Sequence, residues 1–165
     1  MPSYVAVDEA LIHASPEVVF RALLDECNGA SDWWAPSVRV TPVSDPPFDH
    51  VGAEARSAVR DRGITVRFLW RIIAIEPDSL IRIEYAEGDI TGIGTLTLTP
   101  AEGGTLLRYD WAARTNTWRA ALLAPVLGMA ARHSAVMRRG FAGLDAYVIA
   151  QATATQPESS ERSRG

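Results

Sequence analysis

WRAALLAPVLGMAARHSAVMRRGFAGLDAYVIA, residues Trp118 to Ala150, is the stretch whose reading decides the fold. Stepping about 100° per residue from His133 places Leu122, Val126, Met129, Met137, Gly140, Leu144 and Tyr147 within about 40° of it, one apolar stripe along a helix. Arg132, Ser134, Arg138, Arg139 and Asp145 fall about 100° or more away, on faces that water can solvate. The stripe is uneven: bulky side chains alternate with Gly140, and one titratable residue, His133, stands in its middle. A helix lying on a tightly filled core would more simply carry Leu and Ile throughout.

The stretch upstream of this helix reads as strand after strand. In the segment from Ile64, the residues Ile64, Val66, Phe68, Trp70 and Ile72 alternate with Thr65, Arg67, Leu69 and Arg71, giving one apolar and one largely polar face. Ile81, Ile83 and Tyr85 repeat the device against Arg82 and Glu84, as do Leu107, Tyr109 and Trp111 against Arg108 and Asp110. Arg82, Glu84, Arg108 and Asp110 are expected to form weak cross-strand pairs on the wet face. Turn signals at Ser44-Asp45-Pro46-Pro47, Asp61-Arg62-Gly63, Glu76-Pro77-Asp78-Ser79, Glu87-Gly88-Asp89 and Glu102-Gly103-Gly104 divide the segment into an antiparallel meander.

Before the meander, Val5 to His13 has the composition of an outer strand, with either alternate set able to face inward. Ser15 and Pro16 then open a helix whose stripe is Val18, Val19, Ala22 and Leu23, ending near Asn28-Gly29. Ser31 or Asp32 opens a second short helical turn carrying Trp33 and Trp34. From Thr153 to Gly165 aromatics and branched aliphatics vanish, a composition that cannot repay its ordering entropy.

The order strand, two short helices, six strands and long helix leaves an apolar sheet face and an apolar helix stripe to cover each other. We therefore expect an α+β helix-grip, a curved antiparallel sheet of about seven strands around a long C-terminal helix. One such domain would occupy residues 1–150 and a disordered tail 151–165. Ile12-His-Ala-Ser-Pro-Glu-Val-Val-Phe-Arg-Ala-Leu resembles the opening of the START/Bet v 1-like (SRPBCC) superfamily, in particular its polyketide cyclase/dehydrase and lipid-transport branch. Trp33-Trp34-Ala-Pro, Gly92-Ile-Gly-Thr-Leu-Thr-Leu-Thr-Pro, Gly104-Thr-Leu-Leu-Arg-Tyr-Asp-Trp and Val136-Met-Arg-Arg-Gly-Phe-Ala-Gly-Leu agree with it. The chain departs from such relatives at Ala131-Arg132-His133-Ser134, where they carry a Trp-Asn-His-Asp-like run. Only His133 carries over, without the adjacent carboxylate that would orient it.

Such a fold implies a cavity, with Gly92, Gly94, Ala53, Ala55 and Gly140 leaving room at inward positions. Its expected ligand-binding lining is Trp33, Val66, Phe68, Trp70, Ile83, Tyr85, Leu96, Leu98, Tyr109, Trp111, Met129, His133 and Met137, the make-up of a small-molecule pocket. Taken singly, an aromatic at strand spacing reads as core and His133 as a satisfied core histidine; only the ensemble argues for a site. The partner is then a small hydrophobic molecule, a lipid, polyketide or isoprenoid. The alternative is a polyketide cyclase or aromatase in which His133, Tyr85 and Tyr109 move protons.

Composition removes other classes. At 165 residues and 47% hydrophobic, the chain can bury one core without staples. Its net charge of -4, with all 16 basic residues arginine and scattered singly, disfavours nucleic acid. Cys27 is the sole cysteine, so neither an intramolecular disulfide nor a thiolate-ligated metal is expected, and no cofactor is implied. No secretory signal is legible, and the longest apolar run, Ala120 to Ala131, falls well short of the ~20 residues of a spanning helix. The expectation is a cytoplasmic monomer or homodimer that makes at most transient contact with a membrane surface.

Overall fold

The computed structural model describes residues 3–116 and 128–155. Seven antiparallel strands run β1 (Ser3–Ile12), β2 (Val38–Pro42), β3 (Glu54–Asp61), β4 (Ile64–Glu76), β5 (Leu80–Gly88), β6 (Ile90–Ala101) and β7 (Gly104–Thr115), with helix α1 (Pro16–Cys27) after β1 and helix α2 (Met129–Ala154) after β7. They form one sheet in the order β1-β7-β6-β5-β4-β3-β2, so β2 to β7 are a meander and β1 closes back on the last strand. The turn signals fall between the strands. Between β3 and β4, Arg62 and Gly63 both take positive φ, 47° and 80°, the mirror-image turn whose twist matches that of its strands.

Helix α1 starts as its sequence demands, with Pro16 in the first turn where its missing N–H costs nothing. Ser15 holds the cap position without a side-chain hydrogen bond, its carbonyl instead accepting from Val19 N at 3.0 Å. Asn28 caps the other end and Gly29, at φ 70°, turns the chain away. The expected second short helix is instead a run of turns, in which Ala35 N bonds Asp32 O and Val38 N bonds Trp34 O. The cause is room: the indoles of Trp33 and Trp34 stack 5.2 Å apart, and the loop must present both to the interior within five residues of β2.

Helix α2 buries Val136, Met137, Gly140, Phe141, Leu144 and Val148, each large apolar side chain among them contributing roughly 1.5–3 kcal/mol. The face is wider than the stripe read from sequence, because sheet and α1 flank it on two sides. The helix runs on to Ala154, four residues past the expected end; residues 117–127, which the sequence assigned to its start, and the tail beyond 155 lie outside the described residues. It lies along β1: Asp145 Oδ1 accepts from the His13 backbone N–H at 2.7 Å, and Asp8 stands against His133.

Three expectations are corrected here. Arg132 and Arg139 are not simply solvated: both reach Asp61 at the β3 end, at 3.4 and 3.0 Å, tying the β3–β4 turn to the helix. Asp110 pairs along its own strand with Arg108 instead of across strands, while Arg108 makes the expected cross-strand pair with Glu9 on β1. The small residues Gly92, Ala53, Ala55 and Gly140 do not open the interior. A Cβ on Gly92 would strike Ala112 O, and one on Gly140 would strike the Trp34 indole nitrogen at 2.2 Å, so both serve close packing.

Candidate functional site

Inward-facing residues of six strands, the end of α1, the Trp33-Trp34 turn and the first half of α2 enclose a cavity of about 190 Å³ with an almost wholly apolar wall. It exists because the helix packs along β1 and meets β7 only through side chains, while the curled sheet carries β3 to β6 away from it. The alternation in β4 delivers Ile64, Val66, Phe68 and Trp70 to it, β5 delivers Ile81, Ile83 and Tyr85, and β7 delivers Tyr109 and Trp111. Of the thirteen residues expected from sequence, Trp33, Val66, Phe68, Trp70, Ile83, Tyr85, Leu96, Tyr109, Trp111, Met129, His133 and Met137 line this space. Leu98 does not; it is buried farther along β6, in the packed core.

The aromatic wall is ordered by contacts among its members. Phe68 meets Tyr85 edge-on, with centroids 5.0 Å apart, and His133 stacks on Trp111 at 4.1 Å and beside Tyr109 at 5.7 Å. Two of the buried indoles find partners: Trp33 Nε1 donates to Ala22 O at 3.1 Å, and Trp70 Nε1 donates to Ser57 Oγ at 2.9 Å. The hydroxyls of Tyr85 and Tyr109 hydrogen-bond each other. Gly94 opposite leaves the space for the Tyr109 phenol, since a Cβ there would lie 2.2 Å from its oxygen.

Electrostatics keep this wall neutral. Burial pushes the Tyr85 phenol up to about 12, against opposing hydrogen bonds from Tyr109 and Trp111, and raises Tyr109 well above its ordinary value. Burial also lowers His133 to about 4, with Asp8 pulling the other way; the imidazole is therefore neutral at neutral pH. Cys27 lines the cavity as an inert thiol, raised by burial to about 12. Glu26, also on the wall, is raised by burial and partly offset by the Ser31 hydroxyl, which donates to Oε2 at 2.8 Å.

Sequence reasoning missed Asp8, Glu26, Asp61 and Arg132. The first matters most, because it supplies the carboxylate that position 134 lacks: Asp8 Oδ2 is 3.3 Å from His133 Nδ1, and both groups are largely buried. Its signal was in the strand. Tyr4, Ala6, Asp8, Ala10 and Ile12 face inward on β1 and Val5, Val7 and Leu11 outward, so an acidic residue within a small-residue register marked the close approach of a helix. Asp61 and Arg132, at one end of the cavity, meet only through the fold and left no local trace.

A curled sheet gripping a helix over an apolar cavity defines a protein of the helix-grip class. The chain belongs to the polyketide cyclase / dehydrase and lipid transport family, whose model matches residues 5–148. No curated protein matches the sequence. Among solved structures, a protein from Thermus thermophilus is similar at 20% identity and TM-score 0.69, over 90% of this chain and 99% of that one. The Zhui aromatase/cyclase from Streptomyces sp. R1128 is similar at 13% identity and TM-score 0.69, over 93% and 98%, and Ara h 8.0201 at 14% and 0.60, over 90% and 99%. These likenesses are of fold.

Proposed function

We propose that the protein binds a small hydrophobic molecule, a lipid, polyketide or isoprenoid, inside the cavity. The observation that carries this reading is the cavity itself, roomier than the engineered apolar void of about 150 Å³ that takes up benzene. Trp33, Val66, Phe68, Trp70, Ile83, Leu96, Trp111, Met129 and Met137 would supply contact area, at about 25 cal/mol per Å² removed from water. Tyr85, Tyr109 and His133 would set orientation.

A second reading, polyketide cyclisation or aromatisation in the same cavity, draws support from the neutral imidazole beside the tyrosine pair. Those three groups could hold and move protons while the walls impose the fold of a poly-keto chain. The family description names cyclases as well as lipid transport, and the Zhui aromatase/cyclase shares the fold.

Native mass spectrometry of the protein purified from its own cells, with extraction of what travels with it, tests the first reading. An apolar metabolite bound one to one is the expected result. An empty protein that also fails to take up a hydrophobic fluorescent probe would refute it. Turnover of the extracted compound by wild type but not by His133→Ala would favour the enzyme.

A further inference from the structure

Behind the cavity wall two buried polar atoms with no other hydrogen-bond partner face each other: Asp8 Oδ2 on β1 and Nδ1 of the lining residue His133, 3.3 Å apart. Asp8 is only 8% exposed, and among the described residues no cation other than a protonated imidazole stands against it. A lone pair on Nδ1 turned toward a carboxylate oxygen in this dry setting would be repelled, so the ring proton belongs between them. Trp111 stacks flat on the same ring at 4.1 Å and Tyr109 lies beside it, which holds the ring plane. The other nitrogen, Nε2, is not among the sealed atoms and has no protein partner among the described residues, and His133 lines the cavity.

We propose that Asp8 is a positioning residue that keeps the proton of a neutral His133 on Nδ1, so that Nε2 meets the cavity as a hydrogen-bond acceptor and selects apolar ligands carrying a hydroxyl. The neighbouring tyrosines complete the selection. Of their two hydroxyl protons one is shared within the pair, which leaves one to donate. The preferred ligand thus offers an O–H to His133 and an acceptor oxygen to the phenols, on an otherwise apolar frame. Selection rests on the cavity-binding reading; the tautomer does not.

Long-range ¹⁵N–¹H spectra of the labelled full chain at neutral pH read the tautomer directly, with His133→Gln assigning its signals among the three histidines. The expected state is neutral with Nδ1 protonated. Asp8→Asn, whose amide can donate to Nδ1, should move the proton to Nε2. An imidazolium or an Nε2-protonated ring in the wild type would overturn the proposal, as would an unchanged tautomer in Asp8→Asn. Should Asp8→Asn fail to fold, the wild-type spectrum decides.

Titration with naphthalene and 2-naphthol reads the selection. Wild type should bind the naphthol about tenfold more tightly, and Asp8→Asn should shrink that ratio several-fold while leaving naphthalene within about twofold. Equal affinities in the wild type would overturn the selection. If neither probe binds, the cavity-binding reading fails, and the selection with it, while the spectra still decide the role of Asp8.

Discussion

Gly94→Ala should destabilise the protein by forcing apart the tyrosine pair of the cavity wall. Gly94 lies opposite Trp111 in the β6–β7 ladder, with Leu96 opposite Tyr109. A Cβ built on it would stand 2.2 Å from the Tyr109 hydroxyl oxygen and 2.8 Å from Cζ, well inside contact distance. Tyr109 is buried and its hydroxyl is bonded to Tyr85, so it can yield only by tilting its ring and parting the pair. Overpacking costs about 1–3 kcal/mol, and a buried hydroxyl left unpaired a further 1–3 kcal/mol, roughly. The entropy gained in replacing glycine returns up to about 1 kcal/mol. The net expectation is a loss of about 2–4 kcal/mol, a fall in Tm of roughly 5–15 °C for a chain of this size. Urea denaturation followed by tryptophan fluorescence measures it. Adding Tyr109→Phe removes the nearest clashing atom, so the double variant should lose less than the two singles summed, by about 1 kcal/mol. A loss below about 0.5 kcal/mol for Gly94→Ala would refute the reasoning, since it would mean that Tyr109 swings freely into the cavity.

His133 makes acid stability a second test. Burial lowers its pKa to about 4 in the fold, against an ordinary value of 6.5, so the unfolded chain binds more protons between those values and stability falls as pH drops through them. Asp8 on β1 and the neutral phenol of Tyr109 on β7 face the ring. The wild type should lose about 1–3 kcal/mol over that window that His133→Gln retains, measured as urea midpoints at pH 7 and pH 4.5. On α2, Gly143→Ala should cost more than Gly140→Ala. A Cβ at 143 would meet the Trp33 carbonyl, which is backbone, and one at 140 the Trp34 indole, which is side chain. Equal melting temperatures for the two would contradict this account of how the tryptophan turn seats on the helix.

The sheet was readable because its strands obey a period of two and its turns carry Gly, Pro and Asp at the junctions, both local properties. Eight of the expected lining residues, Val66, Phe68, Trp70, Ile83, Tyr85, Leu96, Tyr109 and Trp111, followed from that period, and Met129, His133 and Met137 from the helical stripe. What escaped is what only distance in the chain creates. Asp8 and His133 are separated by most of the sequence, and β1 disguised its inner face by carrying Val5, Val7 and Leu11 outward, where side chains need no small partner. Leu98 obeys the period and still misses the cavity, because alternation fixes a face and not a position along it. The space beside Gly140 was likewise read as void, when a tryptophan from a distant turn fills it.

An apolar cavity of about 190 Å³ left empty forgoes the contacts that would fill it, a deficit in what holds the fold together. Any molecule that fits it restores part of that deficit by mass action alone. If the proposed ligand binds there, the unoccupied form would open and meet proteases more often than the occupied one, so the amount of this protein in a cell would follow the supply of that ligand without any dedicated regulator.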